Sequence, residues 1–218
     1  MAVRLGLRLK NGCMIAHGNG TNVKRPFVDI PNLVMHELSP GSRLAKTPVS
    51  ADGPTPAASF HGQFGLIPFT TEHRLPQHVH IGDDPTAPER RMLVTERILV
   101  LNGVALVQLS GAVYIIPPAS LVSIAPGVPH TWTACPPGLK MPDGTISDGT
   151  FLMVYEYESP TGFFPTEQTE TLSDVGKYKE YTGDLENIRF PLLTTQDVFK
   201  RGTLVWDTEL REAELAPR

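Results

Sequence analysis

Between Ser59 and Tyr157 the chain is a succession of short apolar runs cut by turn residues, and few architectures accept such a pattern. Phe60–Ile67, Leu75–Ile81, Met92–Leu101, Val104–Leu109, Ala112–Ile116, Ser120–Ile124, His130–Ala134 and Phe151–Tyr157 each have the length and composition of a strand. Asn102-Gly103 is a strong two-residue hairpin signal, from which Val104–Leu109 is expected to return as the partner of Met92–Leu101. Ser110-Gly111 and Pro126-Gly127 mark further turns. The 21 Pro and 19 Gly among 218 residues disfavour long helices. Strands this short, at near-regular spacing, predict an all-β domain that closes on itself as a barrel or sandwich, because closure removes the sheet edges.

The flanks read differently. Residues 1–58 form an N-terminal arm with strands that pack on the barrel, Phe27–Ile30 and Asn32–Leu38 among them. Ser39–Ala58, rich in Pro, Ser, Ala and Gly, reads as a loop. The barrel itself is assigned to 59–158, with Lys140–Thr150 as a loop. Residues 159–218 are a C-terminal extension in which Asp174–Tyr181, Thr194–Lys200 and Glu209–Leu215 are expected as short helices.

Composition excludes several classes. A formal net charge of −4 leaves no basic footprint for nucleic acid. No stretch approaches the roughly 18 apolar residues of a membrane helix. Met1–Asn19 has no apolar core of a secretory leader, because Arg4, Arg8 and Lys10 interrupt its leucines. Cys13 and Cys135 are too few for a disulfide framework and fit a reducing compartment. A cytoplasmic protein is the expectation. Ser-His-Asp, phosphate-loop, Cys-x2-Cys and Gly-x-Gly-x2-Gly arrangements are not evident.

Chemistry concentrates in four positions. His78-Val79-His80 places two imidazoles on one face if the segment is extended, since residues i and i+2 of a strand point the same way. Glu96 heads the apolar run Ile98–Leu101, and a carboxylate facing inward there needs a partner. A cation is one such partner; Arg90, Arg91 or Arg97 is another. His130 follows Pro126-Gly127-Val128-Pro129, a turn that fixes its direction. Three imidazoles and a carboxylate suit iron, manganese, nickel, copper, cobalt or zinc. Of the other candidates, His73 and Cys135 read as surface or incidental groups. His61 alternates with Phe60 and is a weaker cavity candidate. Trp132 and Tyr155 lie near the proposed site, as core or as pocket wall.

In these residues the chain resembles the cupin superfamily. Its first motif reads approximately G-x5-H-x-H-x3,4-E-x6-G, and His78, His80, Glu96 and Gly103 match. The second reads approximately G-x5-P-x-G-x2-H-x3-N, and Gly127 and His130 match, while position 134 is Ala. The larger departure is the fifteen residues between His80 and Glu96, where the motif has three or four. Asp83–Pro88 then reads as an insertion loop at the barrel mouth. Asp84 stands at the motif's acid spacing, and Glu89 is near. Glu96 is preferred because Glu-x6-Gly leads into a strand and the Asn-Gly turn.

The resemblance spans roughly 60–157. It implies an antiparallel jelly-roll barrel and a divalent metal held by His78, His80, Glu96 and His130, iron(II) foremost. It implies a metal-dependent oxidoreductase of the dioxygenase kind, acting on a small phenolic, enolic or diketone substrate. The nearest functional analogues within the superfamily are quercetin dioxygenases and diketone-cleaving enzymes. Isomerase, decarboxylase or lyase chemistry at the same metal is one alternative, and a barrel that only binds a small molecule is another. A homodimer is the expected assembly.

Overall fold

The computed structural model describes residues 6–17, 22–24, 35–37, 63–84, 87–159, 161–206 and 211–213. In chain order the strands are β1 (Gly6–Leu9), β2 (Met14–His17), β3 (Asn22–Lys24), β4 (Met35–Glu37), β5 (Gln63–Thr70), β6 (His78–Val79), β7 (Ile81–Asp84) and β8 (Ala87–Leu93). They continue with β9 (Glu96–Gly103), β10 (Ala105–Leu109), β11 (Ala112–Ile116), β12 (Ser120–Ile124), β13 (His130–Ala134), β14 (Thr150–Tyr157) and β15 (Phe164–Pro165). A seven-residue helix α1 (Thr195–Arg201), β16 (Gly202–Leu204) and β17 (Arg211–Ala213) complete the described chain.

Two sheets build the domain. One runs β17-β1-β2-β12-β9-β14-β5 and the other β15-β6-β13-β10-β11-β16. Their inner faces meet in one core: Ile15, Phe69, Ile98, Val122 and Met153 from the first sheet pack with Val107, Leu109, Ile116 and Trp132 from the second. The fold is an all-β antiparallel jelly roll, and among the described residues parallel pairing is confined to β16 against β11 and β17 against β1.

Turn chemistry explains why the strands stop where they do. Ser110 and Gly111 both have positive φ, 48° and 88°. That is the backbone a tight β10–β11 hairpin requires to match strand twist. Gly103, at φ 66°, lies so close to β14 that a Cβ there would press into the Thr150 carbonyl. Opposite it the β9–β14 register slips between Leu152 and Met153, which turns Leu101 out to solvent. Such a bulge bends a strand and raises its local twist.

The outer face of the second sheet carries its own core. Leu106, Val113 and Ile115 point away from the barrel interior and are covered by Leu139, Met141, Phe190 and Val198. Helix α1 is closed by a capping box in which the Thr194 side chain accepts from the Asp197 N–H and the Asp197 carboxylate accepts from the Thr194 N–H. The helix expected over Asp174–Tyr181 contracts to a single 3-10 turn, Val175–Lys177, and the segment expected as helix at 209–215 contains strand β17. Both segments are too short for helix propensity alone to decide, and pairing with β1 supplies backbone hydrogen bonds at 211–213. The strand expected over Asn32–Leu38 is present at Met35–Glu37; Phe27–Ile30, the loop Ser39–Ala58 and His61 lie outside the described residues. Among the described residues no helix is long and apolar enough to cross a membrane.

Candidate metal centre

His78 and His80 reach the site from the same short stretch. His78 starts β6, where it pairs with His130 of β13, and His80 stands in the link between β6 and β7. The fifteen residues that separate His80 from Glu96 are not an irregular loop. They fold out as the antiparallel hairpin β7–β8, and the Val94 N–H returns to the His80 carbonyl at 3.0 Å. The insertion therefore closes on itself and delivers Glu96 beside His80, much as a short turn would. Glu96 opens β9 and is 3 % exposed. Glu89 is exposed and Asp84 lies within the hairpin strand paired to Ala87, so neither of the competing acids reaches the cluster. Of the three arginines near Glu96 in sequence, Arg97 pairs with Glu156 at 3.1 Å and Arg91 lies over the Phe164 ring.

The three imidazoles are buried, and one nitrogen of each lies within 4.8 Å of the corresponding atom of the others. Every Nδ1 faces a backbone carbonyl: His78 that of Pro76 at 2.7 Å, His80 that of Gly162 at 2.9 Å, His130 that of Val128 at 2.8 Å. A carbonyl only accepts, so each Nδ1 carries the proton and donates it. The Nε2 atoms are left as lone pairs. A carbonyl that fixes the tautomer in this way is a recurrent support of metal-binding histidines.

The carboxylate meets those lone pairs directly. Glu96 Oε2 is 2.9 Å from His130 Nε2 and 3.5 Å from His80 Nε2. His80 Nε2, His130 Nε2 and Glu96 Oε2 are buried with no hydrogen-bond partner. Acceptors facing one another out of reach of water are unfavourable unless something positive lies between them. A proton can serve one nitrogen at a time, whereas a divalent cation serves all the donors at once. The buried three-histidine cluster is one that can hold a divalent metal, and the donor set fits such an ion.

The electrostatics are consistent with this. Burial, followed by the neighbouring His130 and His80, pushes the His78 imidazole well below its ordinary value, so it stays neutral and able to donate its lone pair. Burial pushes the Glu96 carboxyl up, and positive charge on the His80 and His130 side outweighs it and holds Glu96 well below the usual carboxylate range. Burial, followed by the Glu96 charge, raises the Tyr157 phenol.

Two side chains at the site carry no signal in the motif. Tyr157 pairs with Glu96 across β14 and β9 and its ring lies 4.4 Å from that of His80. The alternation Tyr155-x-Tyr157 at the end of a strand beside Glu96 was the available clue. Phe163 lies 4.6 Å from the His78 ring and belongs to the C-terminal extension, where no periodicity points inward. Trp132 is fully buried in the core between the sheets, and Tyr155 is half-buried with its ring 5.1 Å from Tyr157. His73 is exposed and accepts a hydrogen bond from the Thr70 N–H. Cys13 and Cys135 are buried free thiols, each pushed up to about 11 by burial, which makes them poor nucleophiles.

No protein-family model and no curated protein matches the chain. Solved structures with some likeness include a cupin 2 domain-containing protein from Halorhodospira halophila, at 16% identity and TM-score 0.33, covering 50% of this chain and 57% of that one. This chain thus spans little more than half the length of that protein. NovW, a 4-keto-6-deoxy sugar epimerase from the novobiocin biosynthetic gene cluster of Streptomyces spheroides, is similar at 11% identity and TM-score 0.43, covering 79% of both chains. A dTDP sugar isomerase from Desulfovibrio desulfuricans G20 is similar at 13% identity and TM-score 0.38, covering 81% of this chain and 95% of that one. The resemblance to the cupin superfamily holds at the level of the jelly-roll fold and of the buried three-histidine cluster.

Proposed function

We propose that the chain is a metal-dependent enzyme of the dioxygenase kind, in which His78, His80, His130 and Glu96 hold one divalent ion, iron(II) foremost. The substrate class is a small phenolic, enolic or diketone compound. The observation that supports the metal most strongly is the convergence of buried acceptors that lack a donor, His80 Nε2, His130 Nε2 and Glu96 Oε2. Iron(II) bound there would supply the electrons for reaction with dioxygen and make an enolate or phenolate oxygen a favourable ligand.

The protein's own residues prepare that chemistry. The carbonyls of Pro76, Gly162 and Val128 hold the proton of each imidazole on Nδ1 and turn the Nε2 atoms toward one another. Three neutral imidazoles and one carboxylate leave a bound divalent ion with net positive charge, which favours an anionic oxygen ligand. The described rings packed against the cluster, Phe163 and Tyr157, exclude water and suit a planar substrate. Isomerase or lyase chemistry at the same ion would need an added acid or base beside the substrate.

The test is oxygen consumption by the iron-loaded protein against a panel of phenols, flavonols and 1,3-diketones. Uptake that depends on both iron and one of these compounds is the expected result. Turnover of a panel compound without oxygen uptake would move the assignment to isomerase or lyase chemistry. Tight binding without turnover would move it to a binding protein.

A further inference from the structure

The imidazoles of His78 and His80 are almost wholly buried, yet the ring that lies against both is not. Phe163 stands 4.6 Å from the His78 ring and 5.4 Å from the His80 ring and is 47% exposed. One face of the phenyl closes over the two histidines and the remainder opens to solvent.

The ring is also fastened. Thr161 Oγ1 donates to the Ile81 carbonyl at 2.8 Å, and Thr161 bridges Gly82. The Gly162 carbonyl accepts from His80 Nδ1. Phe164 and Pro165 pair with Val79 and His78. The Phe164 ring lies 4.9 Å from the Arg91 guanidinium and packs on the cluster of Val79, Ile81, Leu93 and Leu172. Every residue around Phe163 is thus tied to the strands that carry the histidines. A large apolar ring held rigidly half in water at the edge of a donor cluster is a surface prepared for a ligand, since covering it removes apolar area from water without ordering a loose side chain.

Resting on the metal-site reading above, we propose that Phe163 is the substrate-positioning residue of this site. Its open face holds the planar, apolar part of a small phenolic or enolic substrate beside His78 and His80. Phe163 acts on the orientation and affinity of the substrate, and the histidines hold the ion.

Two probes separate these roles in the iron(II)-loaded protein under argon. 4-Nitrocatechol offers metal-binding oxygens on a planar ring; acetohydroxamate offers similar oxygens without one. Phe163→Ala is expected to bind 4-nitrocatechol about tenfold more weakly than the wild type, the scale of one lost aromatic contact with its buried area. Its affinity for acetohydroxamate and its iron content are expected to be unchanged, and Phe163→Tyr is expected to restore 4-nitrocatechol binding. Equal 4-nitrocatechol affinity in Phe163→Ala, equal weakening of both probes, or loss of iron from that variant would each overturn the inference. A wild type that takes iron but not 4-nitrocatechol would overturn it too. A wild type that takes no iron would instead overturn the metal assignment, and elemental analysis shows this before any probe is added.

Discussion

Replacing Glu96 by Gln separates the folding role of the cluster from its metal role. In the metal-free protein above the ordinary imidazole range, Glu96 Oε2 presents lone pairs to the lone pair of His130 Nε2 at 2.9 Å and of His80 Nε2 at 3.5 Å. A buried acceptor without a donor costs about 1–3 kcal/mol, and more when charged. A glutamine amide has the same shape but can turn its NH2 toward the His130 Nε2 lone pair. Glu96→Gln is therefore expected to stabilise the metal-free fold by about 1–3 kcal/mol, which for a chain of this size corresponds to roughly 3–10 °C in Tm. Metal reverses the order. An ion at a hundredfold excess over its Kd adds about 2.7 kcal/mol to the wild type, and the variant, without the carboxylate charge, gains much less. Thermal melts at pH 8, in chelator and in added divalent metal, read both arms. A Glu96→Gln protein that melts below the wild type in chelator, or that gains as much from metal, would refute the reasoning.

The remaining expectations concern the support of the site. Gly127 has φ 76°, and a Cβ there would press into the Leu172 carbonyl and the Leu93 side chain; Gly127→Ala is expected to cost about 2–3 kcal/mol in urea unfolding and to weaken metal binding through His130, three residues on. Metal-free stability is expected to fall as pH drops below 6.5, because the unfolded chain takes up a proton that His78 refuses when buried. Its slope is up to about 1.4 kcal/mol per pH unit for that one group. His78→Gln is expected to flatten the slope just below pH 6.5, measured by urea midpoints across the range.

Much of the barrel was legible because its signals are local. Ser110-Gly111 marks the β10–β11 hairpin, and both residues show the positive φ it needs. Asn102-Gly103 is not the hairpin its sequence suggests, because it ends β9, which pairs with β12 and β14, while Ala105–Leu109 crosses to the other sheet and pairs with β11 and β13. His78, His80 and His130 announce themselves by i, i+2 spacing and by a Pro-Gly turn. Glu96 was legible from the strand it opens, although the fifteen intervening residues broke the usual spacing. Their hairpin was not legible: Ala87–Leu93 contains Pro88, Glu89, Arg90 and Arg91 in a row, with no alternation to mark a strand. Strands β16 and β17 were missed for a different reason. Each has three residues and exists through parallel pairing with a strand about ninety or two hundred positions away. Phe163 and Gly162 belong to the same class. Their importance comes from β15 pairing back onto β6, a contact that no short window of sequence contains.

The central claim is that three imidazoles and one carboxylate converge on a single ion. Metal-free protein dialysed against iron(II) under argon, and then analysed for bound metal, tests it most directly. About one iron per chain is expected in the wild type, with most of it lost from His78→Ala and His130→Ala while both keep a β-sheet circular dichroism spectrum. A wild type that emerges without metal, or both variants fully loaded, would contradict the account.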